Sequence, residues 1–451
     1  MRILLIASQL WRLIKTSGGR FHRAIDEQHK RHGPVFRVSP NELSFATVQS
    51  WKDIYGPAPS SGRTCIKSEF YNMYGSAYRS ACIGSERDPK RHAAMKKNLS
   101  AAFSTRALLQ QESIIRKCVD GFVQRIGEQP DALNMTKWYE MISFDILGEM
   151  AFGDSFHAVE SARPHFWSEL IVEHLYFVTI LDNLRRYPLL VTLGKLILPF
   201  ATVKVRDKHS GYTRAHVERR LEAKSARKDF LTNMVGKVDS GEVDKEEMIA
   251  HSSTLVIAGG ETTSTFLAAT TYYLCKTPGA YQKLCNEIRG AFASYDSIDA
   301  LKAQQLPYLQ AVIAEGLRMY PPGSQGFPRI SPGAPIDGHW VPRGAEIYTS
   351  AWTVTHDEKN FHEPMEFKPE RWIDLECTDD KEASQPFSLG PRGCLGRNFA
   401  YVEMNLILAT LFWKYDLELL DESLDWEGQS HIHIMWWKPE LRIRVLPRKA
   451  E

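Results

Sequence analysis

A mainly α chain with a minor β region is the fold class this sequence predicts, and three observations predict it. Apolar residues recur at intervals of three and four through several long stretches. Strict alternation of apolar and polar residues is confined to short segments near 34–46, 329–348 and the C-terminus. Of the 451 residues, 43% are hydrophobic and 24% charged, enough apolar material for a large core. No linker-like Pro/Ser/Gly run, low-complexity tract or internal repeat interrupts the chain. Residues 31–451 therefore read as a single domain preceded by a basic, partly apolar segment over 1–30. The formal charge of +2 gives no field that points to nucleic acid.

The opening MRILLIASQLWRLI is apolar but carries Arg2 and Arg12 and falls short of the roughly 20 apolar residues that a membrane span needs. Seven basic residues (Arg2, Arg12, Lys15, Arg20, Arg23, Lys30, Arg31) face two acids (Asp26, Glu27) in the first 31 positions, a balance that suits an anionic membrane surface and equally a solvated basic end. No small-residue cleavage site follows, which argues against a signal peptide. PVFRVSPNELSFA, Pro34 to Ala46, alternates on either side of Ser39-Pro40-Asn41 and predicts a β-hairpin. Helical spacing runs from Arg91 to about Gly153, again from His165 to Leu198, and again from Glu246 to about Leu274, with Pro278 just beyond. Between Arg329 and Tyr348 Pro and Gly cut the chain into short pieces that predict a small sheet, and the C-terminal MWWKPELRIRVLP alternates once more. Seven cysteines without a repeating spacing read as reduced thiols in a cytosolic environment.

PFSLGPRGCLGRNFA, Pro386 to Ala400, places three glycines and a proline around Cys394 and then becomes an amphipathic helical run. Gly390, Gly393 and Gly396 give the backbone access to φ > 0 and let a flat ligand come close. A cysteine just ahead of a helix N-terminus meets unsatisfied N–H groups and the positive end of the dipole, which favour a thiolate. The nearest other cysteine, Cys377, is seventeen residues away with no histidine between, so a zinc site is excluded. A lone cysteine is commonly a buried structural thiol, but the glycine frame argues for a ligand.

FSLGPRGCLG, Phe387 to Gly396, resembles the haem-binding loop of the cytochrome P450 family, Phe-x-x-Gly-x-Arg-x-Cys-x-Gly, at every specified position. The resemblance implies a triangular helical prism with small sheets and haem b between two central helices. Its iron would be held by Cys394, with the thiolate favouring O–O cleavage. Three further stretches fit. Glu315 and Arg318 in AVIAEGLRMYPP stand three apart on one helical face, and Arg371 lies in FKPERW. These resemble the family's Glu-x-x-Arg helix and partner arginine, a structural network rather than a catalytic one. LVIAGGETTST, Leu255 to Thr265, puts two glycines inside a helix at roughly 1 kcal/mol each relative to alanine, so they need a reason. Close helix packing is one reason. The other is that Ala258, Gly259, Glu261 and Thr262 resemble the family's oxygen-binding groove, where a hydroxyl holds water and a carboxylate relays the protons that O–O cleavage consumes. At the haem edge, Phe387 belongs to the loop, and Arg392, Arg329 and His92 are the expected propionate partners. Lys96 stands where the family's helix carries arginine, and lacks its bidentate fork.

NELSF, WKDIYG and PERW resemble membrane-associated fungal members, which implies the cytosolic face of the endoplasmic reticulum and a full apolar anchor that this sequence shortens. No flavin or nicotinamide fingerprint occurs, so the electrons for O₂ chemistry are expected from a separate NADPH-dependent reductase. The pocket walls implied by the family, 60–78, 165–198, 255–258 and 323–327, are rich in aromatic and aliphatic residues and suggest a hydrophobic small molecule of secondary metabolism. Two other readings are a haem-thiolate isomerase or cyclase working without reductase, and a non-catalytic haem- or ligand-binding protein. The Glu261-Thr262 pair speaks against both.

Overall fold

The periodic stretches fold as helices and the alternating ones as short strands. A computed structural model describes residues 2–57, 63–74, 78–187, 207–222 and 229–448. Its longer helices are α1 (Arg2–Ser17), α2 (Phe21–His32), α3 (Val48–Tyr55), α4 (Pro89–Ser100), α5 (Thr105–Gly127), α6 (Met135–Phe152), α7 (Phe166–Leu184), α8 (Lys245–Lys276), α9 (Pro278–Ala291), α10 (Pro307–Met319) and α11 (Arg397–Lys414). Local chemistry sets their ends. The Asp244 side chain accepts the Glu246 N–H to start α8, and Pro278 opens α9 at the position where a missing N–H costs nothing.

The main sheet has five strands in the order β1 (Val35–Ser39), β2 (Glu42–Phe45), β8 (Glu346–Thr349), β5 (Arg329–Ile330), β3 (Ile66–Lys67). The expected hairpin is β1 and β2, paired from Val35 opposite Phe45. β6 (Ala334–Ile336) pairs with β7 (His339–Val341), and β10 (His431–His433) with β11 (Met435–Trp437). β4 (Leu133–Asn134), β12 (Arg442–Pro447) and β9 (Tyr415–Leu419) make a third small sheet. The principal core lies among α5, α6, α8, α10 and α11, where Phe122, Tyr139, Phe144, Phe266 and Leu408 are buried. A second cluster under the main sheet holds Phe45, Trp51, Ile347 and Phe361.

The first 31 residues do not stand apart from this body. Arg12, read from sequence as one of a basic surface set, is buried: its Nε lies 2.8 Å from Glu42 Oε2 and its Nη2 3.1 Å from Asp182 Oδ2. Arg186 meets the same Glu42 at 2.8 Å, so a charge network fastens α1 to β2 and the end of α7. Neither sequence reading of a basic end describes Arg12, because its charge is spent inside the fold. Among the described residues no helix is long and apolar enough to cross a membrane. Among the described residues no two cysteines form a disulfide, and no group of three or more His, Cys, Asp or Glu side chains could hold a metal ion.

Candidate active site

The cysteine loop runs through a turn of 3-10 helix, Gly390–Arg392, into α11. Only Gly390 of the three glycines takes a positive φ, +65°, and a Cβ there would fall 2.4 Å from Tyr55 O. Gly393 (φ −59°) and Gly396 (φ −81°) do not use the left-handed region, contrary to the sequence reading. Gly393 is small for closeness, since a Cβ would stand 3.2 Å from Gly390 O. The Cys394 N–H donates to Phe387 O at 2.8 Å, which closes the loop on itself, and the Phe387 ring packs against Tyr401.

Cys394 precedes α11, and the backbone N–H groups of Gly396 and Arg397 bond its sulfur and favour the thiolate. Burial is nonetheless the larger influence and pushes the thiol's pKa up. The helix terminus alone therefore does not make the ready thiolate expected from sequence; a cation on the sulfur is needed to complete it. Cys394 is exposed by accessible surface, and protein atoms crowd the thiol all the same.

Around this loop gather four buried or half-buried cations, Arg392, Arg329, Lys67 and Lys96, none of them ion-paired to a carboxylate among the described residues; Glu86 and Asp88 only partly offset the charge on Lys67 and Arg392. Arg392 donates to Glu86 O at 2.9 Å and Arg87 O at 2.7 Å. Arg329 donates to the Tyr71 hydroxyl at 2.9 Å and lies over the Tyr55 ring. Lys67, which sequence reasoning missed, donates to Ile83 O at 2.7 Å and Gly84 O at 2.6 Å. The antiparallel pairing of β3 with β5 sets Lys67 directly opposite Arg329, a like-charge pair that ordinarily destabilises a sheet. The consequences are mutual. Burial and then Arg329 and Arg392 pull Lys67 well below the usual lysine pKa. Burial and then Arg329 pull Arg392 down to about 10. Burial, then Lys67, Arg392, Lys96 and Arg329, push His92 to about 3. Lys96 is held otherwise than expected: its ammonium bonds Pro391 O at 2.8 Å and Gly393 O at 3.2 Å, tying α4 to the cysteine loop instead of standing free for a propionate.

Desolvated like charges set side by side need anions. The two carboxylates of a group ligated by Cys394 would answer that need, so these residues fit haem, whose propionates Lys67, Arg329 and Arg392 would hold.

On α8 the glycine pair has the packing reason. A Cβ on Gly259 would come 2.9 Å from Leu147 Cδ2, and one on Gly260 2.7 Å from Phe144 Cε2, both on α6. The face of α8 bearing Leu255, Ala258, Gly259 and Thr262 is the less buried one, as a face toward a ligand would be. Thr262 donates its hydroxyl proton to Ala258 O at 2.6 Å, which leaves the oxygen lone pairs as acceptors. Glu261 points the other way and is buried. Its Oε2 lies 3.1 Å from the ammonium of Lys438, a residue with no sequence signal connecting it to α8. Of the other implied pocket walls, 63–74 and Tyr78 of the first and 165–187 of the second are described; 60–62, 75–77 and 188–198 lie outside the described residues.

The Glu315 network is complete. Glu315 accepts from Arg318 Nε and Nη2, each at 2.8 Å, from Arg371 Nε at 3.1 Å, from the Lys368 N–H at 2.9 Å and from Trp372 Nε1 at 2.9 Å. Asp379, unnoticed in the sequence, pairs with the far side of Arg371.

A family model described as Cytochrome P450 matches residues 4–443. Cytochrome P450 monooxygenase ORF9 of Penicillium roqueforti (strain FM164) is 60% identical over 446 residues, 98% of this chain and 87% of that protein. Cytochrome P450 monooxygenase BOT4 of Botryotinia fuckeliana is 50% identical over 441 residues, 97% and 84% of the two chains. Cytochrome P450 monooxygenase BOA3 of Botryotinia fuckeliana (strain B05.10) is 36% identical over 451 residues, 97% and 88%.

Proposed function

The chain belongs to the cytochrome P450 family, and from that premise we propose that residues 31–451 act as one haem-thiolate monooxygenase unit. It inserts one oxygen atom of O₂ into a hydrophobic small molecule of secondary metabolism. The observation that carries the reading is a lone cysteine at the start of α11 beside a set of desolvated cations that, among the described residues, form no ion pair with a carboxylate. Cys394 is the iron ligand of haem b; Arg392, Arg329, Lys67 and His92 hold the propionate edge, Phe387 packs the loop and Lys96 ties it to α4. Haem iron supplies O₂ activation and takes electrons, which come from a separate NADPH-dependent reductase.

The chain's own residues then manage protons and water. Thr262, its proton bound to Ala258 O, accepts a hydrogen bond from water and orients that water's second proton. Glu261 resupplies protons from solvent. Glu315, Arg318 and Arg371 lock α10 to the 3-10 turn Pro369–Trp372 and take no part in the chemistry. Leu10 and Ile14, exposed on α1 near Lys15, support seating on the cytosolic face of the endoplasmic-reticulum membrane.

The test is reductase-driven NADPH oxidation by the purified protein against a panel of hydrophobic compounds chosen by binding spectra. The expected outcome is an NADPH-dependent product carrying one atom from ¹⁸O₂. A product formed without reductase or O₂ would replace this reading with isomerisation, and spectral binding with no turnover across the panel would replace it with ligand carriage.

A further inference from the structure

Lys438, on the segment after β11, has a side chain only 1% exposed. Its backbone surroundings are anchored, since Thr136 Oγ1 donates to Pro439 O at 2.8 Å and the Met135 N–H to Leu441 O at 2.7 Å. The ammonium has three protons and three acceptors: Glu261 Oε2 at 3.1 Å, Thr265 Oγ1 at 3.2 Å and Glu140 Oε1 at 3.4 Å. Glu140, on α6, is also held from outside by Lys137 at 2.9 Å. Glu261 Oε1, by contrast, is buried with no hydrogen-bond partner. A cleft of about 250 Å³ between α6, α7 and β11 leads from the surface to this point. Lys137, Glu169 and Glu173 stand at its mouth, with Glu140, Trp437 and finally Glu261 along its wall.

We infer that this cleft is the proton entrance of the enzyme and that Lys438 is the positioning residue that presents Glu261 to it. The inference rests on the proton-resupply role proposed above for Glu261. Two carboxylates share one ammonium, and their surroundings divide them. Burial pushes Glu140 up, but Lys438 and Lys137 together outweigh it and hold Glu140 below the usual carboxylate range. Burial pushes Glu261 up, the Glu140 charge adds to it, and Lys438 with a smaller pull from Lys137 offsets only part. On Lys438 burial opposes the charge, and Glu261 and Glu140 outweigh burial, so the ammonium persists. Glu140 and Lys438 thus form a fixed ion pair while Glu261 is the member that exchanges a proton. A hydronium proton from bulk solvent, relayed along water in the cleft, binds the Glu261 carboxylate. The carboxylic acid then releases it toward the Thr262 side and returns to carboxylate, moving one proton per passage with no other change. Lys438 fixes one oxygen and leaves Oε1 to do this. Among the described residues the charged groups facing the exchange are Lys137 and Glu140 from α6, Glu169 and Glu173 from α7, and Lys438.

Lys438→Met removes the ammonium at nearly constant volume, and Lys438→Arg restores a cation. In the ferric holoenzyme without turnover, the infrared carbonyl band of protonated Glu261, identified by its loss in Glu261→Gln, should persist to higher pH in Lys438→Met and return toward wild type in Lys438→Arg. With NADPH, O₂ and reductase, NADPH oxidation by Lys438→Met should fall at least about 10-fold, within the range of a displaced proton donor, and its solvent isotope effect should rise. Val172→Trp, which narrows the cleft without touching the ionic cluster, should slow oxidation in the same way and covers the case that Lys438→Met folds poorly. Glu261→Gln oxidising NADPH like wild type sinks the role of Glu261 itself. Slow Glu261→Gln together with an unmoved band in Lys438→Met and wild-type rates in Val172→Trp overturns the cleft and the lysine while leaving that role standing.

Discussion

Arg371→Ala separates a structural ion network from a surface bridge, and the geometry says where the damage falls. Glu315 loses one of its hydrogen bonds but keeps both nitrogens of Arg318 at 2.8 Å, so its charge stays compensated. Asp379 does not. Its side chain is 4% exposed, and once the guanidinium is gone it retains the His362 N–H at 2.8 Å. Removing one partner of a buried pair costs about 3–5 kcal/mol, and the surviving Arg318 clamp places this case near the lower end. A loss of about 3 kcal/mol is a large share of the roughly 5–15 kcal/mol that holds a domain together. At ~2–4 °C per kcal/mol for domains of roughly 150–250 residues, and less for longer chains, the melting temperature should fall by about 5 °C, with haem lost earlier in the ramp. The pH dependence carries a sign. In wild type burial pushes Asp379 up, but the His362 N–H and Arg371 outweigh it and hold the pKa low, so its stabilising contribution is present above the usual carboxylate pKa and fades in acid. Without Arg371 the folded-state pKa is raised, the folded protein binds the extra proton, and the deficit against wild type should grow from pH 5 to pH 8. Adding Asp379→Asn should recover part of the loss at pH 8. The assay is thermal unfolding of the holoenzyme followed at the Soret band. A shift below about 1 °C with full haem content, or a deficit that shrinks as pH rises, refutes the reasoning.

Cys394→Ala should abolish the thiolate-type Soret maximum of the reduced carbon monoxide complex, and a variant that kept it would remove the ligand assignment. Lys67→Met should speed haem loss to an apoprotein acceptor by about 10- to 100-fold, the worth of one charge-assisted hydrogen bond of ~1.5–3 kcal/mol, whereas unchanged loss would clear Lys67 of a propionate role. Thr262→Ala should bind haem and compounds normally but divert NADPH oxidation to hydrogen peroxide, since a positioned proton donor contributes about 10²- to 10⁴-fold; full coupling would show that its hydroxyl orients no water. His22 packs edge-on to Trp352 and Trp436 with both ring nitrogens unbonded, and burial lowers its pKa from 6.5 to about 3. The unfolded chain binds the extra proton between those values, so stability is whole above pH 6.5 and drains as pH falls toward 3. His22→Phe should flatten that acid limb in a pH series of melting temperatures, and an unchanged limb would place the acid sensitivity elsewhere.

What was legible in the sequence is what the chain fixes locally. The cysteine loop reads directly because its constraints lie within ten residues: Gly390 must turn with positive φ beside Tyr55 O, and Cys394 must reach back to Phe387 O. Helices α6 and α8 and the β1–β2 hairpin read from period and turn chemistry for the same reason. Lys67 did not read, because its meaning comes from a two-residue pairing with Arg329 on β5, far along the chain, and two-residue strands carry no periodic signal. Arg12 read as surface charge because its partners, Glu42 and Asp182, are scattered along the chain.

The glycine pair shows how a packing requirement and a chemical one come to occupy the same residues. Glu140, Phe144 and Leu147 lie at i, i+4 and i+7 on one face of α6. Phe144 and Leu147 occupy the space that side chains at Gly260 and Gly259 would need, so α6 approaches α8 closely because those positions are glycine. The same approach brings Glu140, a turn earlier on α6, within reach of the ammonium that holds Glu261, the residue next to the pair. Larger side chains at 259 and 260 would part the helices, and because the Lys438 segment is tied to the start of α6 through Thr136 and Met135, the contact that lengthens is the 3.1 Å one between Lys438 and Glu261. The lysine would then have Glu140 alone against its desolvation, a poor balance for a permanent buried charge. The glycines that read as a cost to the helix are thus what lets a second helix share in holding the proton-exchanging acid.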